Sequence, residues 1–155
     1  MNPPFDAVVA APFGSVGIRA SDDFLLALEL LHMPLEQRLP GQPFIRHVAT
    51  QLTRYFEDPL SALDLPLALV GTSFQKRVWR AIAEIPPGKT MTYSALAQRV
   101  GSGPRAVANA CGANRLPLLI PCHRVVAKNG IGGFMQGAEG GLAIKTWLLR
   151  HESGR

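Results

Sequence analysis

Between Asp58 and Gly71 the chain changes character, and that change limits the folds open to it. Ahead of it the sequence opens in short apolar runs that read as strands. Beyond it, apolar residues recur at helical spacing. Strands followed by helices mark an α+β chain or two domains. The segment carries Pro59 and Pro66 and reads as an extended linker. The boundary is expected between Leu60 and Gly71, with domains over residues 1–66 and 67–155. Charge reverses at the same place. Residues 1–70 hold four Lys/Arg against eight Asp/Glu, a net −4; residues 71–155 hold twelve against three, a net +9. Such asymmetry fits a polyanion meeting the second half, and fits a solvated basic face equally well.

In the first half, Ala7–Ala11, Val16–Ala20 and Phe24–Leu31 are strand candidates, with turn chemistry at Pro12-Phe13-Gly14-Ser15. They suggest an antiparallel meander. Leu25–Leu31 would read the same as a buried helix. Pro34–Pro43 is loop-like. Phe44, Val48, Leu52 and Tyr55/Phe56 then mark an amphipathic helix over Phe44–Glu57.

The second half opens on a capping box, with Thr72 as N-cap and Gln75 three residues into the helix. Phe74, Val78, Ala81 and Ile82 form its apolar face, and Pro86-Pro87-Gly88 ends it. Thr92–Val100 reads as a short helix closed by Gly101. Ser102 is the expected cap of a second helix over Gly103–Ala113, with Pro104 tolerated in its first turn. The pair is a helix-turn-helix candidate or an ordinary helical hairpin. Asn129-Gly130 is a type I′ hairpin signal. Met135–Gly141 is a glycine-rich loop. A last helix runs over Leu142–His151, with Leu142, Lys145 and Leu149 at helical spacing.

Chemistry concentrates at Ile120-Pro121-Cys122-His123-Arg124-Val125-Val126. A thiolate is a nucleophile, and neighbouring basic groups favour it by lowering the thiol pKa. Adjacent side chains of a strand point to opposite faces, so a Cys122–His123 pair needs a bend at Pro121 or a bridging water. Glu152 could orient His123 in a cysteine–histidine–carboxylate relay. A buried, inert Cys122 and a surface Glu152 paired with Arg150 or Arg155 are the plain alternatives. Cys111 sits among alanines and reads as a small packing residue. Two cysteines do not make a disulfide scaffold, and no run of ~20 apolar residues marks a membrane span. Met1–Asp6 lacks the pattern of a signal peptide. Histidines at 32, 47, 123 and 151 are too scattered for metal, and no phosphate loop is present, so no metal and no cofactor are expected. The reading is a soluble, cytoplasmic, reduced protein.

Pro121-Cys122-His123-Arg124-Val125 is similar to the active-site signature of the 6-O-alkylguanine-DNA alkyltransferases, the methylated-DNA–protein-cysteine methyltransferases. The resemblance also runs through Gly71-Thr72-Ser73-Phe74-Gln75, Val78-Trp79, Ile85-Pro86 with Gly88 and Thr90, Tyr93 with Leu96-Ala97, Arg105-Ala106-Val107, Asn114, Lys145, Trp147-Leu148-Leu149 and His151-Glu152. It covers the second half in order. The first half matches more loosely, at Pro12-Phe13-Gly14, Gln51-Leu52, Tyr55-Phe56 and Asp64-Leu65-Pro66-Leu67.

The resemblance implies an α/β (α+β) chain. Its N-terminal domain would be ribonuclease-H-like with a small antiparallel sheet, and its C-terminal domain winged-helix-like with a helix-turn-helix. It implies direct DNA repair, in which Cys122 takes the alkyl group of 6-O-methylguanine irreversibly and each molecule acts once, without a cofactor. By the same resemblance His123 and Glu152 activate Cys122 through a water, Asn114 supports the site, and Tyr93 hydrogen-bonds the leaving base and helps rotate the nucleotide. Arg105 fills the space the base leaves. Ala106 and Ala110 allow close approach of the second helix to the minor groove of double-stranded DNA, and Gln75, Ser94 and Lys128 meet its phosphates. The target atom is hidden in the duplex, so the base must be flipped out. Phe134 stands where many relatives have tyrosine, and the 135–141 loop is longer than usual, which leaves alkyl size and 4-O-methylthymine open. No zinc, no separate phosphotriester-repair domain and a monomer are expected. Two other classes remain: a lesion-binding module without chemistry, against which Cys122 counts, and a cysteine hydrolase built from Cys122, His123 and Glu152.

Overall fold

The computed structural model describes residues 5–134 and 140–154. Residues 135–139 of the glycine-rich loop lie outside the described residues. The chain is mixed α/β, with a small antiparallel sheet and five helices among the described residues, and divides into two compact units, Met1–Ala68 and Leu69–Arg155.

In the first unit, β1 (Ala7–Ala11), β2 (Gly14–Ala20) and β3 (Leu25–Leu31) form an antiparallel meander in sequence order. Val16 stands opposite Val9 on one side and Leu30 on the other. Leu25–Leu31 is therefore a strand. Ser15 through Ile18 are all buried, as expected of a central strand covered on both faces. Helix α1 (Pro43–Glu57) packs on β1 and buries Ile45, Val48, Ala49, Leu52 and Tyr55. The segment after α1 is no free linker. Asp64 N donates to Gln51 Oε1 at 2.8 Å and Gln51 Nε2 returns a bond to Asp64 O at 3.0 Å. Leu25 N donates to Pro66 O, and Ala68 N to Leu25 O. The prolines leave this stretch extended, and its remaining backbone groups use the sheet edge as partner.

The second unit is built from α2 (Ser73–Ala83), β4 (Met91–Thr92), α3 (Tyr93–Val100), α4 (Pro104–Gly112), β5 (Val125–Val126) and α5 (Gly141–Ser153). The capping box forms as its sequence predicts: Gln75 N donates to Thr72 Oγ1, and Thr72 N to Gln75 Oε1, both at 3.0 Å. Gly101 closes α3 in the left-handed region, at φ 72°. Ser102 does not cap α4; Gly103 occupies that position and, having no side chain, makes no capping bond, while Pro104 leaves one fewer amide to satisfy in the first turn. Trp79 Nε1 donates to Ala110 O at 2.8 Å and pins α2 to the end of α4. Strands β4 and β5 pair in parallel, Met91 with Val125 and Thr92 with Val126. Ala127 bridges Gly130 around Lys128-Asn129. Neither turn residue has positive φ, so this is not the type I′ hairpin expected from Asn129-Gly130. Among the described residues no helix is long and apolar enough to cross a membrane.

Candidate active site

The β4–β5 pair joins the start of α3 to the segment that follows Cys122. Pro121 (φ −79°, ψ 65°) bends the chain into a single 3-10 turn over Cys122–Arg124, so the run is not the extended strand that would separate neighbours front to back. Cys122, His123 and Arg124 are all buried.

Asn114 reaches this turn from the end of α4. Its Oδ1 accepts from Leu116 N at 2.9 Å, which fixes the amide's orientation. Its Nδ2 then donates to Ile120 O at 2.9 Å and contacts Cys122 Sγ at 2.6 Å, a close approach for sulfur. The Cys122 thiol also lies 3.5 Å from Ile120 O and 3.9 Å from Cys111 O, both possible acceptors. Between Asn114 and Cys122 the chain turns through Leu118, a buried leucine held at φ 76°.

Basic neighbours do not give Cys122 a low pKa. Burial pushes it up, and the Asn114 bond and the Lys145 charge pull the other way without prevailing. Desolvating a thiolate costs more than these partners return, so the resting group is a thiol. Burial also raises Cys111, to about 12, consistent with an inert packing residue.

His123 Nε2 lies 2.9 Å from Glu152 Oε2. The approach is off the N–H axis and falls short of a well-aligned hydrogen bond, and Nδ1 has no hydrogen-bond partner among the described residues. Glu152 is no surface residue. Its carboxylate takes two bonds from Arg124, Nε to Oε1 at 2.8 Å and a terminal nitrogen to Oε2 at 2.7 Å, while Arg124 also donates to Ile85 O at 2.6 Å. Burial lowers the His123 pKa; Glu152 opposes that shift and the Arg124 and Lys145 charges add to it. The imidazole is thus neutral at rest, beside a carboxylate already neutralised by Arg124.

Tyr93, half-buried at the start of α3, donates its hydroxyl to Gly133 O at 3.4 Å. Burial raises its pKa, with the Cys111 and Cys122 side chains adding to the shift. Gly132 lies against its ring. A Cβ there would stand 2.9 Å from Cε2 and 3.0 Å from the hydroxyl, and φ is +77°. Gly132→Ala is expected to lose about 1–2 kcal/mol of stability and to displace the ring. Thermal unfolding would read the loss, and ultraviolet titration would show Tyr93 ionising nearer its ordinary pKa.

Cys122, Asn114, His123, Glu152 and Tyr93 therefore meet in one region of the second unit. Ser94, Arg105 and Lys128 are exposed, in the first turn of α3, the first turn of α4 and the turn after β5. Gln75 is half-buried and engaged in its capping box. Ala110 faces the core at 2% exposure; the small exposed residues of α4 are Ala108 and Asn109, with Ala106 half-buried. Of the three residues at helical spacing in α5, Lys145 is buried, Leu149 is half-buried and Leu142 is exposed, off the buried face. The helix buries Gly141, Ile144, Lys145, Leu148 and Glu152. Arg124 as the clamp on Glu152, and Lys145 as a buried ammonium, were not read from the sequence. Their signal was present: Lys145 and Glu152 fall on the same helical face as Ile144 and Leu148. Among the described residues no three His, Cys, Asp or Glu side chains gather where they could hold a metal ion.

Residues 73–154 match the family described as 6-O-methylguanine DNA methyltransferase, DNA binding domain. A methylated-DNA–protein-cysteine methyltransferase of Methanosarcina mazei is 43% identical over 152 residues, covering 94% of each chain. A probable methylated-DNA–protein-cysteine methyltransferase of Acanthamoeba polyphaga mimivirus is 47% identical over 113 residues, 70% of this chain and 72% of the relative. Among solved structures, the Mycobacterium tuberculosis O6-methylguanine methyltransferase superposes with a TM-score of 0.81 at 33% identity, covering 96% of this chain and 92% of that one. The structure of the M. tuberculosis protein in complex with DNA gives 0.79 at 32% identity, covering 95% and 91%.

Proposed function

The chain belongs to the 6-O-methylguanine DNA methyltransferase family, and from that premise we propose that Cys122 is the residue onto which it transfers the alkyl group. The protein repairs DNA directly, moving the alkyl group of 6-O-methylguanine to its own cysteine. The observation that carries the assignment to Cys122 is its setting: a buried thiol held by Asn114 beside a neutral His123 backed by Glu152 and Arg124.

The resting thiol must lose its proton to react. His123 Nδ1, buried and without a protein partner among the described residues, is the atom free to take that proton through a water. The imidazolium that results is stabilised by Glu152. Sulfur then attacks the methyl carbon in line; the S–C bond forms as the C–O bond breaks, and the electron pair stays with the guanine oxygen. Tyr93 donates a hydrogen bond to the departing base; the guanine anion takes a proton from water and His123 returns the thiol's proton to solvent, so protons and charge balance. The alkylated sulfur has no leaving path, so each molecule acts once and needs no cofactor.

The partner is duplex DNA, entered from the minor groove by α4, with the protein acting as a cytoplasmic monomer. Arg105 and the small Ala108 and Asn109 are exposed on that helix, which suits an inserted wedge and close approach. Ser94 and Lys128 are exposed and able to meet phosphates, and the net +9 of residues 71–155 supplies affinity in any sequence. Gln75 can contribute its Nε2 without giving up its capping bond. A ribonuclease-H-like first unit and a winged-helix-like second unit complete this reading.

Intact-protein mass spectrometry after incubation with duplex DNA bearing one 6-O-methylguanine tests it. One methyl gain per protein, mapped to Cys122, is expected. Retained lesion binding without a mass gain would leave a recognition module; repeated turnover would leave a hydrolase. The same assay with 4-O-methylthymine settles that substrate.

A further inference from the structure

Lys145 has none of its surface exposed, an unusual place for an ammonium unless its donors are satisfied. Nζ donates to Val125 O at 2.7 Å and to Gly133 O at 2.8 Å. The Tyr93 and Phe134 rings lie 5.9 and 6.0 Å from it, within cation–π range. Burial nevertheless brings its pKa down to about 8.

The Gly133 carbonyl is shared, since the Tyr93 hydroxyl donates to the same oxygen at the longer distance of 3.4 Å. A carbonyl oxygen has two lone pairs, and a phenol has one hydrogen. For Tyr93 to bond the leaving base it must release Gly133. A carbonyl with no second donor would oppose that release, because an unpaired acceptor out of water is costly. The stronger of its two bonds comes from Lys145 and does not depend on Tyr93.

We infer that Lys145 is a positioning residue for the transfer: it keeps the Gly133 carbonyl bonded while Tyr93 turns its hydrogen bond from that carbonyl to the departing base. This rests on the role given to Tyr93 above. It also accounts for a lysine at the place where α5 meets the end of the 131–134 segment, a place otherwise walled by aromatic rings.

Single-turnover transfer from duplex DNA bearing 6-O-methylguanine tests it, with half-saturating concentration and limiting rate measured separately. The set is Lys145→Met, Lys145→Gln, Tyr93→Phe and the Lys145/Tyr93 doubles. Lys145→Met is expected to lower the limiting rate about tenfold or more, with half-saturation within about threefold. Lys145→Gln keeps N–H donors and is expected to lose less. In the Tyr93→Phe background, either Lys145 change is expected to add little. Losses that multiply, equal loss in the Met and Gln variants, or a change confined to half-saturation would each overturn the proposal. If Lys145→Met does not fold, the cycle is read on Lys145→Gln. If neither folds, Lys145 is structural and the proposal fails. Absence of transfer by the unaltered protein would instead sink the underlying reading.

Discussion

Cys122→Ser is expected to abolish alkyl transfer while leaving lesion binding within a few-fold of the unaltered protein. A hydroxyl is a far weaker nucleophile than a thiolate, and the loss should be on the order of 10⁴ or more. The serine oxygen is small enough for the pocket, and Asn114 Nδ2 can donate to it as it does to sulfur. The fold should therefore hold, with an unfolding midpoint within a few degrees. Mass spectrometry would read the transfer, and fluorescence anisotropy with lesion-bearing duplex would read the binding. Transfer that survived the substitution would remove Cys122 as acceptor and turn attention to Cys111, whose high pKa makes it a poor candidate.

The second large effect belongs to Arg124. Arg124→Met removes both bonds to the Glu152 carboxylate and the bond to Ile85 O, and takes the guanidinium charge away from a buried carboxylate. Breaking one side of such a pair costs about 3–5 kcal/mol, or roughly 10 °C in unfolding midpoint for a chain of this size. The pH dependence should move as well. In the unaltered protein burial and the Arg124 charge lower the His123 pKa, so the imidazole stays a neutral base into mildly acidic solution. Without Arg124 the full Glu152 charge faces His123 and raises its pKa. The acidic fall-off of the transfer rate should then begin at higher pH. Rates measured from pH 5 to pH 8 would show the shift. Stability carries the same sign: a histidine whose folded pKa is depressed takes up a proton on unfolding, so its contribution is lost as pH falls below the ordinary histidine value. An unchanged profile would mean that Arg124 only props up the fold.

What could be read from the sequence was local or already assembled in one stretch. Thr72 and Gln75 announce a capping box because both partners sit within one turn. Gly101 announces a helix end because few other residues adopt its backbone angles. The meander was legible because three short apolar runs follow one another across short turns, although Leu25–Leu31 by itself could not be told from a buried helix. Arg124 and Glu152 stand 28 residues apart, and their pairing exists only once α5 packs beside the Cys122 turn. The burial of Lys145 was hidden for the same reason: hydropathy sends charged residues outward, and only the assembled carbonyls make the interior hospitable. The thiol pKa was misjudged because counting basic neighbours omits desolvation, which here outweighs them. Asn129-Gly130 misled because a bridge from Ala127 to Gly130 closes a tight turn without left-handed residues.

Leu118 bears on how a single-use reagent is made. A leucine with positive φ, buried midway between Asn114 and Cys122, holds the intervening chain in a shape an isolated peptide would avoid. Such a shape persists only because the packed core around it over-determines it. The sulfur and its amide partner are therefore in place before any DNA arrives, and no encounter has to assemble them. An enzyme that cycles can tolerate a site that relaxes between turnovers and is rebuilt by each substrate. A protein consumed by its first reaction gets one assembly, at folding, and this turn is where that history is written into the backbone.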